Sequence, residues 1–198
     1  MRSTIHSAAA PMPTARETFN SSIMDAIELL DHFNAINTKP PPPNAEVLKR
    51  AGLIMACTAW ETYVEDRVEE AVELWLGANN ESFEHQFMLK QLKLTLKQFN
   101  NPNSEKTRKL FLDFLGIDVF DDWNWNNYDC DRVRTELDAL IKKRGDAVHR
   151  SKIPSSGIPQ PHLIKKEDLE KAIKFLKCLV DATDEATALP RQRGRQAS

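Results

Sequence analysis

The sequence predicts an all-α fold, a single helical bundle of five to six helices built around one long central helix. Apolar residues recur at three- and four-residue steps through most of the chain, the period of one helix face, and strand-like alternation is absent. The run from Ala45 to Leu76 carries no helix breaker except Gly52. At 198 residues the chain holds one well-packed domain and not two comfortable ones. Its 41% hydrophobic and 28% charged residues mark a folding, globular sequence. The bundle is expected over 15–188, between a disordered segment at 1–14 and a disordered basic tail at 189–198.

The first helix is predicted from Ala15 to Asn37, with Phe19, Ile23, Ala26, Ile27, Leu30 and Phe33 along one face. Lys39 and the run Pro40 to Pro43 forbid helix and favour a stiff, extended spacer. Asn44 is placed to cap the second helix, which continues to Leu76 with a core stripe of Leu53, Cys57, Trp60, Val64, Val68, Val72 and Trp75. Between Ala51 and Trp60 this helix is apolar nearly all round, so it belongs in the middle of the bundle. Glu61, Glu65, Glu69 and Glu73 form a row at four-residue spacing; such a row is a solvated face, but Glu61 stands beside the buried stretch.

Two shorter helices follow, Glu81 to Phe99 and Ser104 to Leu115, separated by the turn residues Asn100, Asn101, Pro102 and Asn103. Lys90, Lys93, Lys97 and Lys106 make this part locally basic, which reads as a solvated lysine face or as a phosphate contact. Residues 116–127 hold Phe120, Trp123 and Trp125 among aspartates and asparagines, a capped loop whose aromatics plug the end of the bundle. The helical period returns from Tyr128 with Val133, Leu137, Leu140 and Ile141. A Pro/Ser/Gly connector at 153–161 then leads to a last amphipathic helix, Lys166 to Ala188, with Leu169, Ile173, Leu176, Leu179 and Val180 on its apolar face.

A net charge of −2 excludes a protein that coats nucleic acid through bulk positive potential; any polyanion site must be local. The three cysteines, Cys57, Cys130 and Cys178, are scattered and odd in number, which speaks against a disulfide scaffold or a zinc site and fits a reducing cytoplasm. No histidine pair lies at metal-ligand spacing, and neither a metal nor a cofactor is expected. The first 14 residues lack the apolar core of a secretory signal, and no window approaches the roughly 18 apolar residues of a membrane span. A cytoplasmic location is expected.

One segment could carry chemistry. On the penultimate helix, 133, 137, 140 and 141 define an apolar stripe, and at 100° per residue positions 144 and 148 fall on it. Position 144 is arginine, and a guanidinium aimed at an apolar seam is costly unless it reaches an anion, a partner or water. His149 stands about 140° round from Arg144 and roughly 7.5 Å along the axis, so one helix alone does not converge the two side chains. A plainer reading competes: Lys142, Lys143 and Arg144 before Gly145 is also the pattern of a helix C-terminus, cations in the last turn and then a left-handed glycine, with Arg144 extended into solvent.

The surroundings decide which reading to pursue. The stretch Leu137 to Arg150, LDALIKKRGDAVHR, resembles the signature of the HEPN superfamily, in which an arginine and a histidine a few residues later sit near the end of a late bundle helix. Ala56 to Val68, ACTAWETYVEDRV, is similar to the tryptophan-glutamate-aromatic pattern of the RiboL-PSP-HEPN branch, and a connector and one terminal helix follow the histidine as that branch requires. The resemblance covers Asn44 to Ala188. Where the family commonly has a polar residue after the arginine, this chain has Gly145, with Asp146 one step later.

This resemblance implies a metal-independent endoribonuclease that acts as a homodimer, with Arg144 and His149 of both copies lining one cleft. It further implies Glu61 and Asp146 as supporting polar groups, with Lys142, Lys143, Arg150 and Lys152 as the local RNA-binding cations. Family members act in toxin-antitoxin or antiphage systems, which would supply an inhibitory or defence-system protein partner. The rival expectation, from a different class, is a catalytically silent helical module that dimerises or binds a partner protein; a third is an RNA-binding subunit that needs another chain for cleavage.

Overall fold

The computed structural model describes residues 13–38, 42, 45–77, 82–149 and 164–188, with the side chain of His149 outside that description. Among the described residues the chain forms six α-helices and one 3-10 turn, and no strand. The expected spacer at 40–43 (apart from residue 42), the connector at 153–161, the tail at 189–198 and residues 1–12 lie outside the described residues.

Helix α1, Ala15–Ile36, begins with a capping box: Glu17 donates its backbone N–H to Thr14 Oγ1, and its carboxylate accepts the Thr14 N–H in return. Its buried face is Phe19, Ile23, Ala26, Leu30 and Phe33, with Ile27 partly covered, and it lies along α2, Ala45–Leu76. Helix α2 also packs against the four helices that follow, α3 (Phe83–Leu96), α4 (Ser104–Leu115), α5 (Cys130–His149) and α6 (Lys166–Thr187), which makes it the central helix of the bundle. Leu53, Cys57, Trp60, Val64, Val68 and Val72 are buried as the stripe requires. Trp75 is not: it is 65% exposed, and Leu74 beside it is also exposed. The apolar period of α2 therefore continues one turn beyond the neighbours that cover it.

The turn residues bound their helices through side-chain caps. Ser82 opens α3 and Asn103 opens α4, each side-chain oxygen accepting a backbone N–H three residues on, while Gly116 closes α4 in the left-handed conformation at φ 66°. The loop that follows holds a 3-10 turn, Val119–Asp121, and drives Trp123 into the core, where its indole N–H donates to Thr183 Oγ1 at 3.0 Å. Trp123 meets Trp60 edge to face at 6.3 Å, so the loop plugs the bundle end, with Phe120 and Trp125 half-buried around it. Each aliphatic or aromatic side chain fully withdrawn from water here contributes about 1.5–3 kcal/mol before conformational entropy is counted.

On α6 the predicted face is buried in full: Leu169, Ile173, Leu176, Leu179 and Val180. At the far end of this helix Asp184 accepts the Tyr63 hydroxyl at 2.7 Å and pairs with both Arg16 and Arg67, tying α1, α2 and α6 together. On α5, Val133, Leu137, Leu140 and Ile141 are buried. Past Arg144 the expected Val148 is 43% exposed and Ala147 is buried in its place; the 100° step puts 148 nearer the centre of the stripe than 147, so it is the placement of the neighbouring elements and not the helical period that selects Ala147. No helix of the described residues is long and apolar enough to cross a membrane.

Candidate functional site

Arg144 resolves the two readings of its segment. Helix α5 continues through Gly145 to His149, and Gly145 does not adopt a left-handed backbone, so the lysine-lysine-arginine-glycine string is not the end of the helix. The guanidinium of Arg144 does not extend freely into solvent either. Its side chain is 23% exposed and reaches across to two groups of its own chain: Nη1 donates to Asn101 Oδ1 at 2.5 Å, and Nη2 lies 3.6 Å from Glu61 Oε2. Asn101 closes the triangle, because its backbone N–H donates to Glu61 Oε1 at 3.0 Å.

Three separate parts of the sequence thus converge on one point: α2 through Glu61, the turn before α4 through Asn101, and α5 through Arg144. The convergence follows from how the turn is held. Trp60, next to Glu61 on α2, donates its indole N–H to Pro102 O at 3.1 Å in the buried interior. Lys106 Nζ donates to Asn100 O at 2.7 Å, and Asp138 of α5 accepts the Ser104 N–H at 2.8 Å. Asn101 itself sits at φ 48°, a left-handed conformation that asparagine tolerates better than most residues.

The electrostatics fit a charged pair lodged against a core. Cys57, one turn before Glu61, is buried, and burial pushes its thiol up to about 12; nearby Arg144 pulls the other way and Glu61 adds to the rise. The thiol is therefore neutral and a poor nucleophile. Arg144 Nε is buried with no hydrogen-bond partner, leaving one donor of the fork unmatched, a cost of about 1–3 kcal/mol for a buried polar group. Glu65, one turn beyond Glu61, has its carboxyl raised to about 7 by burial and by the neighbouring Glu61, Asp66 and Glu69 charges.

The other expected site residues fall in different places. His149 is the last residue of α5, so its backbone is placed by the same helix that carries Arg144, while its side chain lies outside the description. Asp146 is two residues on from Arg144, about 200° round the helix, and does not share the face that meets Glu61. Lys142 is exposed. Lys143 is turned to α6, where Nζ pairs with Asp168 Oδ2 at 2.9 Å. Arg150 and Lys152 lie outside the described residues. Among the described residues no group of three or more His, Cys, Asp or Glu is placed to hold a metal ion.

Asn101 is the residue the sequence reading missed as part of the site. It stood out only as a turn former, and nothing local links it to an arginine 43 positions later.

The comparisons with known proteins bear on the family alone. The family model described as RiboL-PSP-HEPN matches residues 20–188, which takes in all three arms of the triangle and most of the bundle. No curated protein and no solved structure matches the chain.

Proposed function

This chain belongs to the RiboL-PSP-HEPN family, and we propose that it is a metal-independent endoribonuclease whose site is completed by a second copy of itself. The observation that carries this reading is Arg144. A guanidinium is embedded in an apolar helix face, oriented by Asn101 and Glu61, and carried by the same helix that ends at His149. An arginine held in this way presents a planar donor fork in a fixed attitude, which is what phosphate recognition requires.

In the proposed reaction a ribose 2′-hydroxyl attacks the adjacent phosphodiester. The P–O5′ bond breaks, leaving a 2′,3′-cyclic phosphate and a 5′-hydroxyl. His149 exchanges the proton as general base or acid, since an imidazole changes charge near neutral pH. Arg144 holds the phosphate and stabilises the charge that gathers on its oxygens in the transition state. Glu61 and Asn101 keep the fork in place, and Lys142, Arg150 and Lys152 add local positive charge. Pairing two copies brings two Arg144–His149 segments to one cleft. A place in a toxin-antitoxin or antiphage pair, with an inhibitory protein partner, belongs to the same proposal.

The test is cleavage of RNA by purified protein in the presence of EDTA, with end-group analysis of the products. Arg144→Ala and His149→Ala are each expected to lower kcat by about 10²-fold or more. Cleavage that persists in both variants rejects the site.

One observation favours a second reading, a catalytically silent module: both partners of Arg144 lie in its own chain, as in a structural ion pair. On that reading wild-type protein folds, cleaves nothing and is not toxic on expression.

A further inference from the structure

The turn 100–103 is held more firmly than a connection between two helices requires. Asn100 is fixed by Lys106, Asn101 by Glu61, Pro102 by Trp60, and Asn103 both caps α4 and donates its N–H to Asn101 O at 2.8 Å. The next residue, Ser104, is fixed by Asp138 of α5. Anchors from α2, α4 and α5 therefore set the position of one left-handed residue, and its side-chain carbonyl is what meets Arg144. Backbone held in a sparsely populated region by surrounding contacts is characteristic of sites that need a group in a fixed attitude.

Asn101 hydrogen-bonds to one charged member of the triangle with each part of itself, its main chain on Glu61 and its side chain on Arg144. Glu61 alone would not orient the fork. At 3.6 Å its carboxylate neutralises charge without a close hydrogen bond, so a guanidinium held by Glu61 alone could swivel. The short bond to the Asn101 carbonyl fixes which Nη donor points inward, and with Nε buried it leaves the other Nη donors for an anion.

We infer that Asn101 is a positioning residue for Arg144, a fixed carbonyl on an anchored left-handed turn that locks the guanidinium in the attitude needed to receive a phosphate. The catalytic consequence rests on the nuclease reading given above; the clasp itself does not.

Two substitutions separate the side chain from the turn. Asn101→Gly removes the carbonyl while keeping the left-handed backbone and the N–H to Glu61. Asn101→Asp keeps an acceptor of the same shape in the same backbone. The first readout is the guanidinium NMR signal of Arg144, identified by its loss in Arg144→Lys. A held fork gives separate, slowly exchanging Nη protons. These are expected in wild type and in Asn101→Asp, and are expected to collapse to an averaged signal in Asn101→Gly with an unfolding midpoint close to wild type. The second readout is cleavage: kcat/KM of Asn101→Gly is expected to fall about 10- to 100-fold, mostly in kcat.

An averaged Arg144 signal in wild type, or a signal and a kcat in Asn101→Gly unchanged from wild type, overturns the proposal. If wild type cleaves no RNA but the signal responds as described, Asn101 is upheld as the clasp and only the nuclease reading falls.

Discussion

Gly52 of α2 and Leu169 of α6 meet so closely that a Cβ built on the glycine would stand 2.8 Å from the leucine Cδ2 and 3.4 Å from the carbonyl oxygen of Ala26 on α1. The single glycine inside the central helix is thus where three helices come together. Alanine is favoured over glycine in a helix interior by about 1 kcal/mol, but forcing a methyl into a filled core costs about 1–3 kcal/mol. Leu169 is fully buried and has little room to yield. Gly52→Ala is therefore expected to lower the unfolding free energy by about 1 kcal/mol in a urea titration. A gain in stability would mean that the helices are not packed this closely.

Gly145 gives the opposite expectation. It too lies inside a helix, but nothing stands within 4 Å of where its Cβ would be, and its backbone is not left-handed. Only propensity and the entropy of the unfolded chain remain, so Gly145→Ala should raise stability by about 0.5–1 kcal/mol. The comparison also tests the helix itself. A glycine closing α5 in the left-handed conformation would lose stability on the same substitution, and such a loss would place the helix end before His149.

Tyr63 supplies a third case. Its ring is buried between Phe19 and Trp60, and its hydroxyl donates to Asp184, which also pairs with Arg16 and Arg67. Burial, followed by the Asp184 charge, pushes the phenol far above its ordinary range, so it remains a neutral donor at any working pH. Tyr63→Phe removes the hydroxyl's bond to Asp184 and its longer, shared bond to Val180 O at 3.3 Å, and leaves Asp184 with its two arginines. A loss of about 1–2 kcal/mol is expected in the unfolding free energy, with the midpoint shifted and the slope unchanged. A loss below a few tenths of a kcal/mol would mean that the arginines alone satisfy Asp184.

The helices were legible in the sequence because their information is local. Period, caps and breakers are written within a few residues, and Asn103 and Gly116 mark the two ends of α4 as their chemistry demands. Trp75 shows the limit of that kind of evidence. Period alone assigns it to the core, but burial depends on which neighbour is present one turn further along, and there Trp75 is exposed. The site shows the same limit from the other side. Glu61 and Arg144 could be singled out separately, one beside an apolar run and the other on an apolar stripe. That they meet, and that Asn101 joins them, depends on contacts 40 and 43 residues apart that no local pattern encodes. The string ending in Gly145 was ambiguous for a related reason. The same four residues end a helix or pass through it, and tertiary contacts through Arg144 decide which.

Glu65 ties the acidic row of α2 to pH. Its carboxyl is raised to about 7 by partial burial, then by Glu61, Asp66 and Glu69, against an ordinary value near 4.5 for a glutamate in the unfolded chain. A raised acid means that the folded state holds a proton the unfolded state has already released. Between about pH 4.5 and 7 the folded state binds more protons, so stability falls as pH rises through that window and levels off above it. Glu65→Gln removes the titration. It should leave the melting temperature nearly unchanged at pH 4.5, where Glu65 is largely protonated when folded, and raise it at pH 8, where wild type carries the crowded charge. Paired thermal melts of the two proteins across that range are the measurement. The difference between them should open with rising pH and saturate above pH 7, and a difference that stays flat would mean that Glu65 is well solvated and its neighbours screened.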